Sequence, residues 1–283
     1  MRNPEAMLER RERADALTIL YEKARELLDE EAINPKTFAD LYGPRQVEKD
    51  CALVTSLEKK FSTRTAEDRE SAQKALILEA IINEQIELNE WFGQGARTIR
   101  PSRYDDFVNG VDTVVEFDRQ EQGMSHLGLA TDITFGSHII EKLRRIKTEI
   151  KSGALTRIKY FQSEAGGFRG EYRGIPRIII GADSSHVADL IQLWSSKQRT
   201  DRTTLAKHPF QFKMLEEARL QLETYRRYAR DIGQEPVAQT YDKTLAIVTG
   251  VMRAKDGHYN ANNFIGDNLF ARLRRELEQF DSL

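Results

Sequence analysis

The chain reads as an α/β protein of the α+β kind, with a small mixed sheet at its centre and helices on either side. Three features predict this. Two segments, 108–117 and 127–135, are dominated by β-branched and aromatic residues, with turn-prone Gln122-Gly123 between them. An amphipathic segment with Ile139, Leu143, Ile146 and Ile150 at helical spacing follows directly. Charged stretches with apolar residues at helical intervals lie on both flanks.

Each element has its own signal. Residues 5–31 set Leu17, Ile19, Leu20, Leu27 and Leu28 among charges and predict a helix. Pro35 and Tyr42-Gly43-Pro44 break the chain, and 44–61 predicts a second helix. Thr63 to Thr65 offer a cap for a long helix over 66–92, ended by Phe92-Gly93. Residues 93–106, with Pro101, read as a loop. Strands follow at 108–117 and 127–135. Ser137 caps a helix over 138–151, stopped by Ser152-Gly153. Strands at 156–161 and 175–181 flank an Ala165-Gly166-Gly167 turn. Asp183-Ser184 caps a helix over 185–196, and helices are expected at 209–231, 237–254 and 264–281. The resulting division is an N-terminal helical extension (1–65), an α/β core (66–196) and a C-terminal helical region packed on it (197–283).

Composition narrows the class. With 283 residues, 40% hydrophobic, 31% charged and mean hydropathy −0.58, the chain suits a soluble globular protein with an ample core. Its single cysteine, Cys51, excludes an internal disulfide and a cysteine-clustered zinc site. A reducing, cytoplasmic setting is expected. The charged N-terminus shows no apolar leader, and no run approaches the roughly 20 apolar residues of a membrane span.

Two acids on the successive strand-like segments, Asp112 and Asp132, stand out. Acids are depleted in strand interiors, and two on paired strands can converge on a metal-sized site for Mg²⁺ or Mn²⁺ against a phosphate. Strand alternation puts Glu116 on the Asp112 face and Thr134 on the Asp132 face. Glu79 is a third acid. On a wheel of about 100° per residue it lies about 40° from Ala75, within the apolar stripe of its helix. A carboxylate there is costly unless it binds a metal or is bonded to an arginine or a backbone donor. Asp105 and Asp106 precede the strand and could contribute to the site, with a loop or capping role favoured. Lys142 lies about 60° from the centre of its helix stripe, where it could orient a water or simply snorkel. His138 beside it is expected to be structural or to contact phosphate.

Residues 141–177 hold 10 Lys/Arg and 4 acids, and residues 195–230 hold 9 and 4. Arg144, Arg145, Lys147 and Lys159, with nearby Tyr160, Phe161, Phe168 and Tyr172, are the candidates for contact with a nucleic acid backbone.

These residues resemble the restriction-endonuclease-like, or PD-(D/E)XK, nuclease superfamily over about 66–196. Asp112 matches the acid of the second core strand. Asp132-Ile133-Thr134 matches the acid-X-lysine triplet of the third, with Thr134 in the lysine's place, and Glu79 matches the acid of the first core helix. The resemblance implies a helix, a mixed sheet, a further helix and a further strand. It also implies phosphodiester hydrolysis of nucleic acid, DNA above all, with Glu79, Asp112 and Asp132 on Mg²⁺ or Mn²⁺. Lys142 would stand in for the missing lysine, helped by Thr134. That missing lysine equally suits a non-catalytic nucleic-acid- or protein-binding scaffold on the same core. The helical ends are candidates for a homodimer interface.

Overall fold

A computed structural model describes residues 4–61, 66–118, 124–132, 137–165, 167–255 and 267–283. Helices α1 (Pro4–Glu31), α2 (Ala39–Tyr42), α3 (Pro44–Phe61) and α4 (Ala66–Asn89) precede strand β1 (Ala96–Ile99). A short α5 (Arg103–Asn109) leads into β2 (Thr113–Asp118) and β3 (Met124–Asp132). Then come α6 (Ser137–Ser152), a hairpin of β4 (Thr156–Gln162) and β5 (Arg169–Ile175), and β6 (Arg177–Gly181). Five helices finish the described chain: α7 (Ser184–Ser195), α8 (Arg199–Ala206), α9 (Phe210–Asp231), α10 (Glu235–Ala254) and α11 (Asn268–Glu278).

The main sheet has the order β1-β2-β3-β6. β1, β2 and β3 form an antiparallel meander, and β6 joins β3 in parallel. A parallel neighbour requires a long crossover, supplied here by α6 and the β4–β5 hairpin. The mixed sheet with flanking helices agrees with the sequence reading. Within the core, 93–106 is not a plain loop, because β1 and the start of α5 lie in it. The expected strand at 108–117 begins only at Thr113. Ser102 caps α5 by accepting from Asp105 N, and Gly110 ends it at φ +63°, a left-handed conformation that favours glycine. The expected strand at 175–181 divides at Pro176, which separates β5 from β6. α8 is a further helix that periodicity did not signal.

Side-chain alternation gives the sheet two buried faces. Val115, Phe117 and Leu127 join a large core with α4, α6, α9 and α10, into which the predicted stripe Ile139, Leu143, Ile146 and Ile150 packs. Ile99 and Val114 face the hairpin through Ile158, Phe161 and Ile175. The large core also takes in Ala24 and Leu28 of α1 and Tyr225 and Val248 of the C-terminal helices. The three regions read from sequence therefore share one core.

The sheet edges are met by side chains and, just past β1, by a backbone amide rather than by further strands. On β1 the amide of Thr98 donates to the Glu87 carboxylate, and the carbonyl of Arg100 accepts from Ile33 N at 3.1 Å. On β6, one face of α9 presents Lys213, Glu217 and Gln221, four residues apart. Lys213 donates to Gly181 O, and Glu217 accepts from Gly181 N at 3.1 Å. Gln221 accepts from Ile179 N at 2.8 Å and donates to Ile179 O at 2.7 Å. An unpaired edge invites pairing with another chain, and these contacts satisfy it internally. Among the described residues, no helix is long and apolar enough to cross a membrane.

Candidate metal and phosphate site

The start of β2 and the ends of β3 and β6 lie at one end of the sheet. Thr113 pairs with Leu129, and Asp132 pairs with Gly181. Asp112 stands just before β2 and Asp132 closes β3, so the two acids read from sequence reach the same end. The backbone of Asp132 is described but its side chain lies outside the described residues, as does all of Thr134 and the side chain of His138.

Arginines fix the segment that carries Asp112. Arg145 donates to Val108 O at 2.9 Å. Arg177 donates to Asn109 O at 2.6 Å and to Gly110 O at 3.1 Å. Arg100 donates to the carbonyl of Asp112. Guanidinium groups suit this task because their donors are rigidly spread and always charged.

Arg100 is also the hub of the acids. Its side chain is 4% exposed and forms an ion pair with Glu79, and Asp106 lies 4.0 Å from it. Glu79 thus has the arginine partner that its place on the apolar stripe requires. Asp106 meets Asp112 in a carboxyl–carboxyl hydrogen bond. Burial, and then the charge of Asp112, push the Asp106 carboxyl up to about 7. Nearby, Thr113 Oγ1 donates to Asn83 Oδ1 of α4 at 2.8 Å.

Sequence reasoning set Asp106 aside with Asp105, and the two adjacent acids have different fates. Successive helix residues point about 100° apart. Asp105 turns inward and accepts from Ser102 Oγ, Asn109 Nδ2, Lys159 N and Tyr160 N, a structural hub joining α5 to β4. Asp106 turns to Asp112. Arg100 carried no signal at all, since only the tertiary structure brings it to α4 and α5.

Other expectations resolve as follows. Glu116, four residues along the chain from Asp112, has a separate set of partners. It accepts from His126, Ser163 Oγ and Ala165 N, and although burial opposes ionisation, these donors hold its carboxyl below the usual range. Lys142 is half-buried on α6. Arg144 and Arg145 are exposed, as a backbone contact requires. Two expected phosphate contacts must be corrected. Lys147 is buried and donates to the carbonyls of Asp281 (2.8 Å) and Leu283 (3.4 Å), so its charge pins the chain end. Lys159 pairs with Asp50 and lies 5.2–5.3 Å from the ring centres of Tyr42, Tyr104 and Tyr160. It is a cation in an aromatic box, not a surface group.

Carboxylates are the hard oxygen donors that Mg²⁺ and Mn²⁺ take. The hydrogen bond between Asp106 and Asp112 marks a point where a proton offsets the repulsion of two acids and a cation could do so instead, so the donor set fits a divalent ion. Among the described residues, a tighter group is Asp183, His186 and Asp267, with ligand atoms within 4.8 Å of one another. Its carboxylates already have donors within the protein. Asp183 caps α7, accepting from Ser185 N and His186 N, and the Lys213 ammonium lies 3.2 Å from Asp267. Comparison with family models, with curated proteins and with solved structures returned no match.

Proposed function

We propose that the chain is a metal-dependent nuclease that hydrolyses phosphodiesters of nucleic acid, with DNA the expected substrate. The observation that carries this reading is the carboxyl group of Asp112, bonded to Asp106 beside Glu79 and Arg100, at the sheet end where β3 terminates in Asp132. The order α4, β1-β2-β3 meander, α6, parallel β6 supports it, because the acids flank the second and third strands as in the PD-(D/E)XK arrangement. Asp112, Asp132 and Glu79 would hold Mg²⁺ or Mn²⁺, with Asp106 as an additional oxygen donor. The ion, when bound, supplies an acidified water and offsets phosphate charge. Lys142 and Thr134 would orient that water. Arg100 holds Asp112 through its carbonyl and pairs with Glu79.

The test compares wild type with Asp112→Asn/Asp132→Asn. Calorimetry should show Mn²⁺ binding that the double variant loses, and Mn²⁺- or Mg²⁺-dependent DNA cleavage should disappear with it. Full metal-dependent cleavage by Asp132→Ala would overturn the proposal.

One observation favours the second reading, a non-catalytic scaffold. The Glu79 carboxylate is already paired with Arg100, and the triplet lysine is replaced by Thr134. On that reading, nucleic-acid or protein binding is indifferent to Mg²⁺ and to Asp132→Asn.

A further inference from the structure

Asn109, three residues before Asp112, lines a cleft of about 600 Å³ together with Glu149, residues 153–156, Gly174 and three arginines. The side chains of Arg145, Arg157 and Arg173 are 44%, 57% and 72% exposed. Arg177 lies behind them, 4% exposed.

The local charge is unbalanced. Glu149 serves Arg177 at 2.6 Å and Thr156 Oγ1 at 3.0 Å. Glu171 serves Arg173 at 2.6 Å and lies 3.7 Å from Arg157. Four guanidiniums face two carboxylates, which leaves a net positive wall. Arg145 and Arg177 both approach Gly110, where a Cβ would lie 2.8 Å from an Arg145 nitrogen and 3.3 Å from an Arg177 nitrogen, while they donate to the carbonyls of Val108, Asn109 and Gly110. Like charges crowded this closely favour an anion, and planar guanidiniums match phosphate oxygens. The contrast with a second cleft, of about 640 Å³, is direct. It is lined by Glu31, Glu87 and Glu164 around Arg100 and would repel a phosphate.

We infer that the arginine cleft seats a backbone phosphate of a nucleic acid strand, next to the phosphate presented to the acids. This rests on the nuclease reading above. Arg145 joins the two places physically, because it lines the cleft and holds Val108 O, four residues before Asp112. The contact reads charge and not sequence. It replaces Lys147 and Lys159, whose charges are spent inside the protein, with Arg157 and Arg173.

The experiment is fluorescence anisotropy of a labelled DNA strand of about 20 nucleotides, in chelator and across a salt series. Wild type should bind with an affinity that falls with salt. Arg157→Ala/Arg173→Ala should weaken binding by about tenfold or more and lower the log–log salt slope by about 1.4. Arg157→Lys/Arg173→Lys should retain most of the slope. Arg274→Ala/Arg275→Ala, a pair of exposed arginines on α11, should bind as wild type does. Equal losses at the two alanine sites, an unchanged Arg157→Ala/Arg173→Ala protein, or no wild-type binding at low salt would each overturn the inference. Arginine-dependent binding without any metal-dependent cleavage would sink the nuclease reading and leave the cleft standing. Cleavage with unaltered binding by the arginine variants would do the reverse.

Discussion

Gln221 completes the hydrogen bonding of Ile179 as a neighbouring strand would. Its carboxamide oxygen accepts from Ile179 N at 2.8 Å and its nitrogen donates to Ile179 O at 2.7 Å, both buried. The sheet therefore ends against a helix without a free edge at this position. Replacing the carboxamide leaves two buried backbone groups unpaired, at about 1–3 kcal/mol each. Gln221→Leu should lower the unfolding free energy in urea by about 2–4 kcal/mol. A loss well under 1 kcal/mol would mean that water takes over the edge.

Glu217, one turn earlier on α9, gives the protein a pH dependence. Burial pushes its carboxyl up to about 7, against the opposing pull of Lys213 and the Gly181 amide. The folded pKa exceeds the unfolded value of 4.5, so the folded state binds the proton more tightly. This contribution to stability is fully present below about pH 4.5 and is lost as pH rises to about 7, a span worth about 3 kcal/mol. Denaturation at a series of pH values should show that decline, and Glu217→Gln should flatten it. An unchanged slope in the variant would assign the dependence elsewhere.

On the metal-dependent reading proposed above, Asp106 would couple protons to the ion. Its carboxyl, raised to about 7 by burial and by Asp112, carries a proton at lower pH that a divalent ion must displace. Mn²⁺ affinity should therefore rise as pH increases through about 7, with up to one proton released per ion. Calorimetry in buffers of different ionisation enthalpy measures that proton directly. Asp106→Asn should remove the release, and a variant that still releases it would place the proton on another group.

Arg100 should be costly to remove. Breaking a buried ion pair by deleting one partner costs about 3–5 kcal/mol. Arg100→Met leaves Glu79 without its cation and the Asp112 carbonyl without its donor. Arg100→Met/Glu79→Met should recover part of the loss, because Glu79 no longer leaves an unpaired charge. A double-mutant cycle by urea denaturation tests this, and strictly additive losses would show that the two groups are not coupled.

Much of this was legible in sequence where local chemistry decides. The stripe Ile139, Leu143, Ile146 and Ile150 marked α6, Pro44 and the residues to Phe61 marked α3, and Asp183 marked the cap of α7. β5 was not legible, because Arg169-Gly170-Glu171-Tyr172-Arg173-Gly174 lacks a strand's apolar alternation and is held by pairing with β4. α5 was missed because seven residues show too little periodicity, although Ser102 and Gly110 bracket it.

By itself, the sequence determined the helical flanks, the mixed centre, and Asp112, Asp132 and Glu79 as acids in places where acids are costly. Those are properties of spacing and of residue type, which act over a few neighbours. Only the tertiary structure decided which charges meet. It set Arg100 between Glu79 and Asp106, separated Asp105 from Asp106, and used α9 to close the edge of β6. It also turned Lys147 and Lys159 inward while leaving Arg157 and Arg173 on a cleft. The physical reason is range: a buried charge is stabilised by whatever the fold brings within a few ångströms of it, and these partners lie up to 136 residues away along the chain.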